Sequence, residues 1–407
     1  MRLSMLRPLS SSTARSLRPI FNHYSAFFSS SSSSFSSPST PFDPEAYLHS
    51  ARHKLTSQPP TIVPDVLSPT HSHLLNLSLA DHVPDLFPAN QLSRPLFPPP
   101  WPSLASEEAT ASTNSTQGGA VDGDLTLPQG HHLVYFPLQL PPSRLLPDGT
   151  DPGHCPGEPF VRRMWAGGEV VFRDGWDRAM RTDGRRAVCL ETVGAPVLKH
   201  GGTGATAGQE KVFVEVKRVY GAGAGEGGCD EVVRTCAGPV EEVRRLVFMR
   251  GRDGRAGEAA VAGRVVKASA APEFTFSLRP DATLLFHFSA LTYNAHSIHL
   301  DPDYAKSREG YKGLLVHGPL SLVLMLSALR ACLAKLSPPA AGEGQLPKPY
   351  VKSLSYRNVA PLYVGEQMKV CLRRTKSAVG ELGWDVWIEG PEGGLAVKGK
   401  AVTTGNA

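Results

Sequence analysis

The sequence predicts an α+β fold in two halves, each an antiparallel sheet wrapped on a helix, with the N-terminal half degenerate. Three observations carry that reading. Leu320-Ser-Leu-Val-Leu-Met-Leu-Ser-Ala-Leu329 is apolar on nearly every side, so a helix built from it has to be enclosed rather than laid on a surface. Alternating runs follow at 351–356, 368–372, 384–388 and 395–402, parted by turn clusters such as Gly390-Pro-Glu-Gly-Gly394; this is sheet long enough to curl around the helix. Strand-like runs also accumulate earlier, at 132–136, 169–172, 187–193, 211–217 and 245–249, but without an equally apolar helix.

The elements follow in order. Residues 1–41 carry Arg2, Arg7, Arg15 and Arg18, a serine run from Ser29 to Ser34, and no acidic residue before Asp43. This is a transit-peptide composition, and the arginines break every candidate secretory core, so import into the mitochondrial matrix is expected, with plain disorder as the alternative. Residues 44–52 and 68–79 read as short helices, the second opened by Ser68 and Pro69. The tract 107–124 holds Ser, Thr, Ala, Gly and Asn with almost nothing bulky, and reads as a mobile surface loop; the acceptor triplet at Asn114 inside it is accidental in an imported protein.

Val212, Val214 and Val216 alternate with Phe213, Glu215 and Lys217, a strand with one buried face. The connectors 201–208 and 221–228 read as hairpin material. Gly223, Gly225 and Gly228 satisfy a G-x-G-x-x-G spacing, yet no amphipathic helix is expected after them and no G-K-[ST] is present, so dinucleotide and P-loop readings fail. Residues 251–272 turn to Gly, Ala and Arg and read as a linker between an N-terminal domain, 42–250, and a C-terminal domain, 273–407. The basic run in it is a solvated loop, or a surface meeting coenzyme phosphates or an acidic carrier protein. The second domain opens with an alternating strand at 273–278, and Asp281 then caps a short helix with Leu284, Leu285, Phe288 and Leu291 on one face. One enclosed helix inside an antiparallel sheet is the hotdog arrangement, and two in series make a double hotdog.

Composition narrows the function. The chain has 407 residues, 41% of them hydrophobic, enough for two ordinary cores. A net charge of +5 with scattered basic residues argues against nucleic acid. Six cysteines without a C-x-x-C pair suit free thiols in a reducing compartment. The run 320–329 is shorter than the roughly 20 residues of a membrane span, so none is expected.

The stretch that carries chemistry is Phe288-Ser-Ala-Leu-Thr-Tyr-Asn-Ala-His-Ser-Ile-His299, running on through Leu300-Asp-Pro-Asp-Tyr304 to Leu315-Val-His-Gly-Pro319. Glycine before proline marks a helix start and leaves the entering amide of Gly318 unpaired, a ready oxyanion donor aided by the helix dipole. His299, an imidazole of ordinary pKa near ~6.5, is delivered close to that start.

These residues resemble the hydratase-2 motif of MaoC-type R-specific enoyl-thioester hydratases. F-S-A-L-T-Y-N-A-H-S-I-H with E-G-Y-K-G-L-L-V-H-G-P-L behind it is more closely similar to the mitochondrial hydroxyacyl-thioester dehydratase type 2 family and to bacterial mesaconyl-CoA-type hydratases. Residues 348–365 and 159–168 fit the same pattern. The resemblance implies a dehydratase or hydratase that interconverts (3R)-3-hydroxyacyl and trans-2-enoyl thioesters in mitochondrial fatty-acid synthesis. It implies no cofactor, the acyl chain arriving on an acyl carrier protein or coenzyme A. It makes His299 the catalytic base and Gly318 the oxyanion amide.

Asn294 stands where many of these hydratases have aspartate. Its amide holds the leaving water but moves no proton, so His299 serves both carbons or His296 substitutes. His317 reads as a brace, Ser289 and Tyr293 as orienting residues. Arg162, Arg163 and Trp165 are candidates for a thioester or phosphopantetheine channel, with salt-bridged structure the alternative for the arginines. His296-x-x-His299 has no third ligand, and no metal is expected. A mesaconyl- or itaconyl-CoA-type hydratase is the runner-up, a non-catalytic acyl-thioester-binding scaffold the third reading, and a homodimer the assembly to test.

Overall fold

The computed structural model describes residues 42–87, 125–200, 209–251, 266–336 and 348–404. Residues 1–41, expected to be a transit peptide, the expected loop at 107–124, the connector 201–208 and all but the ends of the expected linker 251–272 lie outside the described residues. Residues 43–407 pack as one unit.

The chain enters through α1 (Pro44–Thr56), whose first amides at Glu45 and Ala46 donate to the Asp43 carboxylate. Next come β1 (Thr61–Val66), α2 (Pro69–Ala80) and the long β2 (Arg162–Phe172). A short turn of helix, α3 (Trp176–Ala179), leads to β3 (Arg186–Val193), β4 (Val197–Lys199), β5 (Lys211–Ala222), α4 (Cys229–Thr235) and β6 (Val240–Met249). The second half runs β7 (Phe274–Leu278), α5 (Ala282–Thr292), α6 (Gly318–Leu336), then β8 (Val351–Asn358), β9 (Met368–Thr375), β10 (Glu381–Glu389) and β11 (Leu395–Thr404).

One antiparallel sheet carries both halves, in the order β1-β3-β5-β6-β2-β8-β11-β10-β9-β7, with β4 paired to β5 off that path. The halves join where β2 pairs with β8 from Gly167↔Arg357 to Val171↔Ser353. Gly167 makes the join possible: its φ is +142°, and a Cβ there falls 2.3 Å from the Tyr356 carbonyl oxygen. The register against β6 slips between Trp165 and Gly167, a bulge that re-aims the strand beside the site.

The sheet of the second half encloses α6, whose residues Leu320 through Leu329 are all buried. At 19 residues this helix is long and apolar enough to span a membrane by length and composition, more than the ten-residue run alone suggests, but two-thirds of it lies inside the fold. It is the core helix of a double hotdog. In the first half the corresponding space is filled by α2 and by a single 3₁₀ turn, His131–Val134, both packed into the same core as α6.

Two expectations change, and one strand was unforeseen. Residues 132–136 are not a strand: Gly130 turns left-handed against Leu326, and His131 through Phe136 are buried on all sides, so no edge is free to pair. A helix, α4, does follow Gly228; it connects antiparallel neighbours β5 and β6 instead of crossing between parallel strands, so the phosphate-binding context still fails. β1 was hidden by Pro64, which an edge strand tolerates.

Two substitutions test this architecture by urea unfolding. Leu324→Ala in the enclosed helix is expected to cost about 2–5 kcal/mol. Asp281→Ala removes the acceptor for the Leu284 amide (2.7 Å) on an exposed cap and is expected to cost about 1 kcal/mol.

Candidate active site

The site is built from the end of α5 inward. Tyr293 stops α5 by taking a left-handed conformation, φ 52°, which few non-glycine residues adopt. The chain then turns: the Asn294 amide donates to the Ser289 carbonyl (2.8 Å), and Asn294 Oδ1 accepts from the His296 amide (3.1 Å). This leaves Nδ2 as the donor of Asn294, a residue that lines a cavity of about 530 Å³.

One turn of 3₁₀ helix, Ser297–His299, brings His299 into the interior, 7% exposed. Its Nδ1 lies 2.8 Å from the Leu315 carbonyl oxygen. A carbonyl only accepts, so Nδ1 carries the hydrogen and Nε2 is left as the basic atom. Behind it the His317 ring stacks on His299 at 3.7 Å and 20°, and His317 Nε2 meets Ser289 Oγ at 2.9 Å. His296 stands edge-on to His299, ring centres 5.5 Å apart, with its Nε2 3.6 Å from Asp148 Oδ2.

Burial dominates the electrostatics. Loss of water lowers the His299 pKa to about 4, against a smaller upward pull from its bond to Leu315. His296 and His317 are driven well below the usual imidazole range, first by burial and then by the charge that neighbouring histidines would carry. The ordinary pKa expected for His299 is therefore corrected downward: three adjacent imidazoles are held neutral.

Gly318 opens α6, and its amide is one of those a helix start leaves without an intrahelical partner. It lines the same cavity as His299. Trp165 closes over it so tightly that a Cβ on Gly318 falls 2.7 Å from the indole. The indole is itself pinned, Nε1 donating to the Tyr356 hydroxyl (2.8 Å), and the Trp165 carbonyl accepts from Asn358 Nδ2 (2.8 Å).

Of the residues singled out in the sequence, the structure brings His299, Asn294, Gly318, His296, Tyr293, Arg163 and Trp165 to one cavity, Tyr293 on its exposed rim. Ser289 and His317 stand behind that wall. Arg162 is not in it: period-two alternation along β2 turns it toward Glu309, with which it pairs at 2.7 Å.

Sequence reading missed Asp148, whose signal is the Pro147-Asp-Gly149 turn; Gly149, at φ +81°, lets that turn pack onto the Ala295 carbonyl. It also missed Asp151, His154 and Glu191, which place three possible metal-ligating atoms within 4.8 Å. Arg218 Nε at 2.6 Å and His154 Nε2 at 2.8 Å already engage the Glu191 carboxylate, so the group is an ion-pair network on the cavity wall.

Two outcomes follow. Gly318→Ala forces Trp165 aside and is expected to lower the melting temperature by about 2–4 °C by scanning calorimetry. Histidines held neutral bind protons less readily folded than unfolded, so the stability they support is complete above 6.5 and is lost as pH falls toward about 4. Urea unfolding at pH 7, 6 and 5 should show that decline, at up to about 1.4 kcal/mol per pH unit for each histidine. His299→Asn, which keeps a donor for Leu315, should make the decline shallower by one histidine's share.

Comparison with known proteins gives this arrangement a family. Residues 130–364 match the model for hydroxyacyl-thioester dehydratase type 2. The mesaconyl-C(4)-CoA hydratase of Chloroflexus aurantiacus is 31% identical over 309 residues, spanning 72% of this chain and 90% of that protein. The mitochondrial hydroxyacyl-thioester dehydratase type 2 of Schizosaccharomyces pombe is 24% identical over 271 residues, 63% and 81% of the two chains. Among solved structures, a MaoC-like dehydratase from Phytophthora capsici aligns over 87% of this chain and 99% of its own, with a TM-score of 0.48 and 16% identity. The chain belongs to the hydroxyacyl-thioester dehydratase type 2 family, and is a hydro-lyase of acyl thioesters.

Proposed function

We propose that the protein interconverts (3R)-3-hydroxyacyl and trans-2-enoyl thioesters with His299 as its base. The observation that carries this is the pairing, on one cavity, of a neutral imidazole whose Nδ1 is fixed on Leu315 with the unpaired amide at the start of α6. In dehydration, His299 Nε2 takes the α-proton while the thioester oxygen accepts from the Gly318 amide. A base of such low proton affinity works only because the enolate charge develops next to it and is met at once by the amide and the helix dipole. The same proton then passes from Nε2 to the hydroxide leaving the β-carbon, and Asn294 Nδ2 holds the water that forms. One imidazole thus handles both carbons, and Asn294 needs no carboxylate; His296, braced by Asp148, is the second candidate for the β-side proton.

Two substrate settings are carried. Fatty-acid synthesis in the mitochondrial matrix, on acyl carrier protein or coenzyme A, is supported by the fission-yeast relative and the arginine- and serine-rich start of the chain. A short carboxylate-bearing acyl-CoA is supported by the Chloroflexus relative and by the arginines of the cavity wall.

Hydration of crotonyl-CoA, followed by loss of enoyl absorbance, tests the reaction. His299→Ala should lower kcat/KM by at least about 10³-fold, Asn294→Ala by about 10- to 100-fold, and Asn294→Asp should stay active. With the base titrating near 4, kcat/KM should hold level from pH 8 to 5. A His299→Ala enzyme of near-normal rate ends the assignment of His299 as the base, and a wild type that hydrates no enoyl thioester leaves the scaffold reading.

A further inference from the structure

We propose that Arg163 is an anion-recognition residue of the cavity, gripping a carboxylate carried by the acyl group, so that acyl thioesters ending in a carboxylate are taken in preference to plain alkyl ones. The proposal rests on the reading of the cavity as an acyl-thioester site.

Alternation along β2 places Arg163 on the face that carries Trp165, two residues and about 6.6 Å of strand away. Trp165 covers Gly318, so β2 carries Arg163 onto the same wall as the Gly318 amide. Both residues line the cavity with His299.

Of the other arginines here, Arg144 lines the cavity from an exposed position, and three more are already engaged. Arg162, on the opposite face, pairs with Glu309 at 2.7 Å; Arg218 pairs with Glu191 at 2.6 Å; Arg244 pairs with Glu242 at 2.9 Å. Arg163 makes no hydrogen bond or ion pair among the described residues, and its Nη1 is buried without a partner. The acids whose charge reaches it are occupied elsewhere: Asp148 by the Thr150 hydroxyl (2.6 Å) and His296, Asp151 by the Gly153 amide (2.8 Å) and His154, Glu191 by Arg218 and His154.

A half-buried guanidinium whose Nη1 is buried without a contact partner is costly in the free protein, and a bound anion relieves that cost. A neutral carbonyl from the thioester arm satisfies one N–H and leaves the charge unmet; an alkyl chain satisfies nothing. A carboxylate matches the planar fork with two charge-assisted bonds.

The test is calorimetric binding of succinyl-CoA and butyryl-CoA, equal in acyl length and identical in carrier, so that coenzyme phosphates cancel in the comparison. The wild type should bind succinyl-CoA about 10- to 100-fold more tightly, Arg163→Met should bring that ratio near one, and Arg163→Lys should fall between. Because the side chain lacks partners, Arg163→Met should melt no lower than the wild type. A wild type without preference, a ratio unmoved in Arg163→Met, or loss of folding in both Arg163→Met and Arg163→Gln overturns the proposal. A wild type that prefers succinyl-CoA yet hydrates no enoyl thioester sinks the hydro-lyase chemistry and leaves this recognition standing.

Discussion

The hydrogen bond from His299 Nδ1 to the Leu315 carbonyl is the constraint on which the site depends. It fixes the tautomer, and the backbone on both sides makes it rigid. The Leu315 amide donates to the Ile298 carbonyl (3.0 Å), the Val316 amide to Leu362 (2.8 Å), and the Val364 amide to Leu314 (3.0 Å). The segment before α6 is therefore sewn to the histidine loop on one side and to the turn before β9 on the other. An imidazole held this way has one free nitrogen and one direction to point it.

Enclosure does the rest. Because α6 is apolar all round it needs a sheet around it, and the packing that buries the helix from Leu320 onward also buries His299 and His317 beside its start. In that dry interior the imidazole of His299 is held neutral, while the Gly318 amide meets a ligand at the cavity wall. The same dryness makes unpaired polar atoms expensive, and two of them, Arg163 Nη1 and Asn358 Oδ1, belong to residues of the cavity wall. Such atoms mark where the fold gives up stability for recognition.

Much of this was legible in the sequence where the pattern is physical. The apolar run of α6, the alternation of β8 to β11, the Asp281 cap and the Gly318-Pro319 start follow from burial and from helix ends, and each is where those rules put it. The joining of the halves was not legible, because Gly167 and the bulge beside it have meaning only once β8 is seen to leave no room there for a Cβ, which would fall 2.3 Å from the Tyr356 carbonyl oxygen. The buried 3₁₀ turn at His131–Val134 misled for a related reason: a segment covered on all sides shows no alternation to separate strand from turn. Within the site, local motifs announced Asn294, His299 and Gly318, whereas Asp148 and Asn358 arrive from distant chain, and the turn that carries Asp148 says nothing of where it packs.

The most direct test of the central claim is nitrogen NMR of histidine-labelled protein, with the His299 signals assigned by loss in His299→Asn. The account predicts a neutral ring with hydrogen on Nδ1 and bare Nε2, unchanged from pH 8 down to about 5. Hydrogen on Nε2 instead, or protonation near pH 6.5, contradicts it.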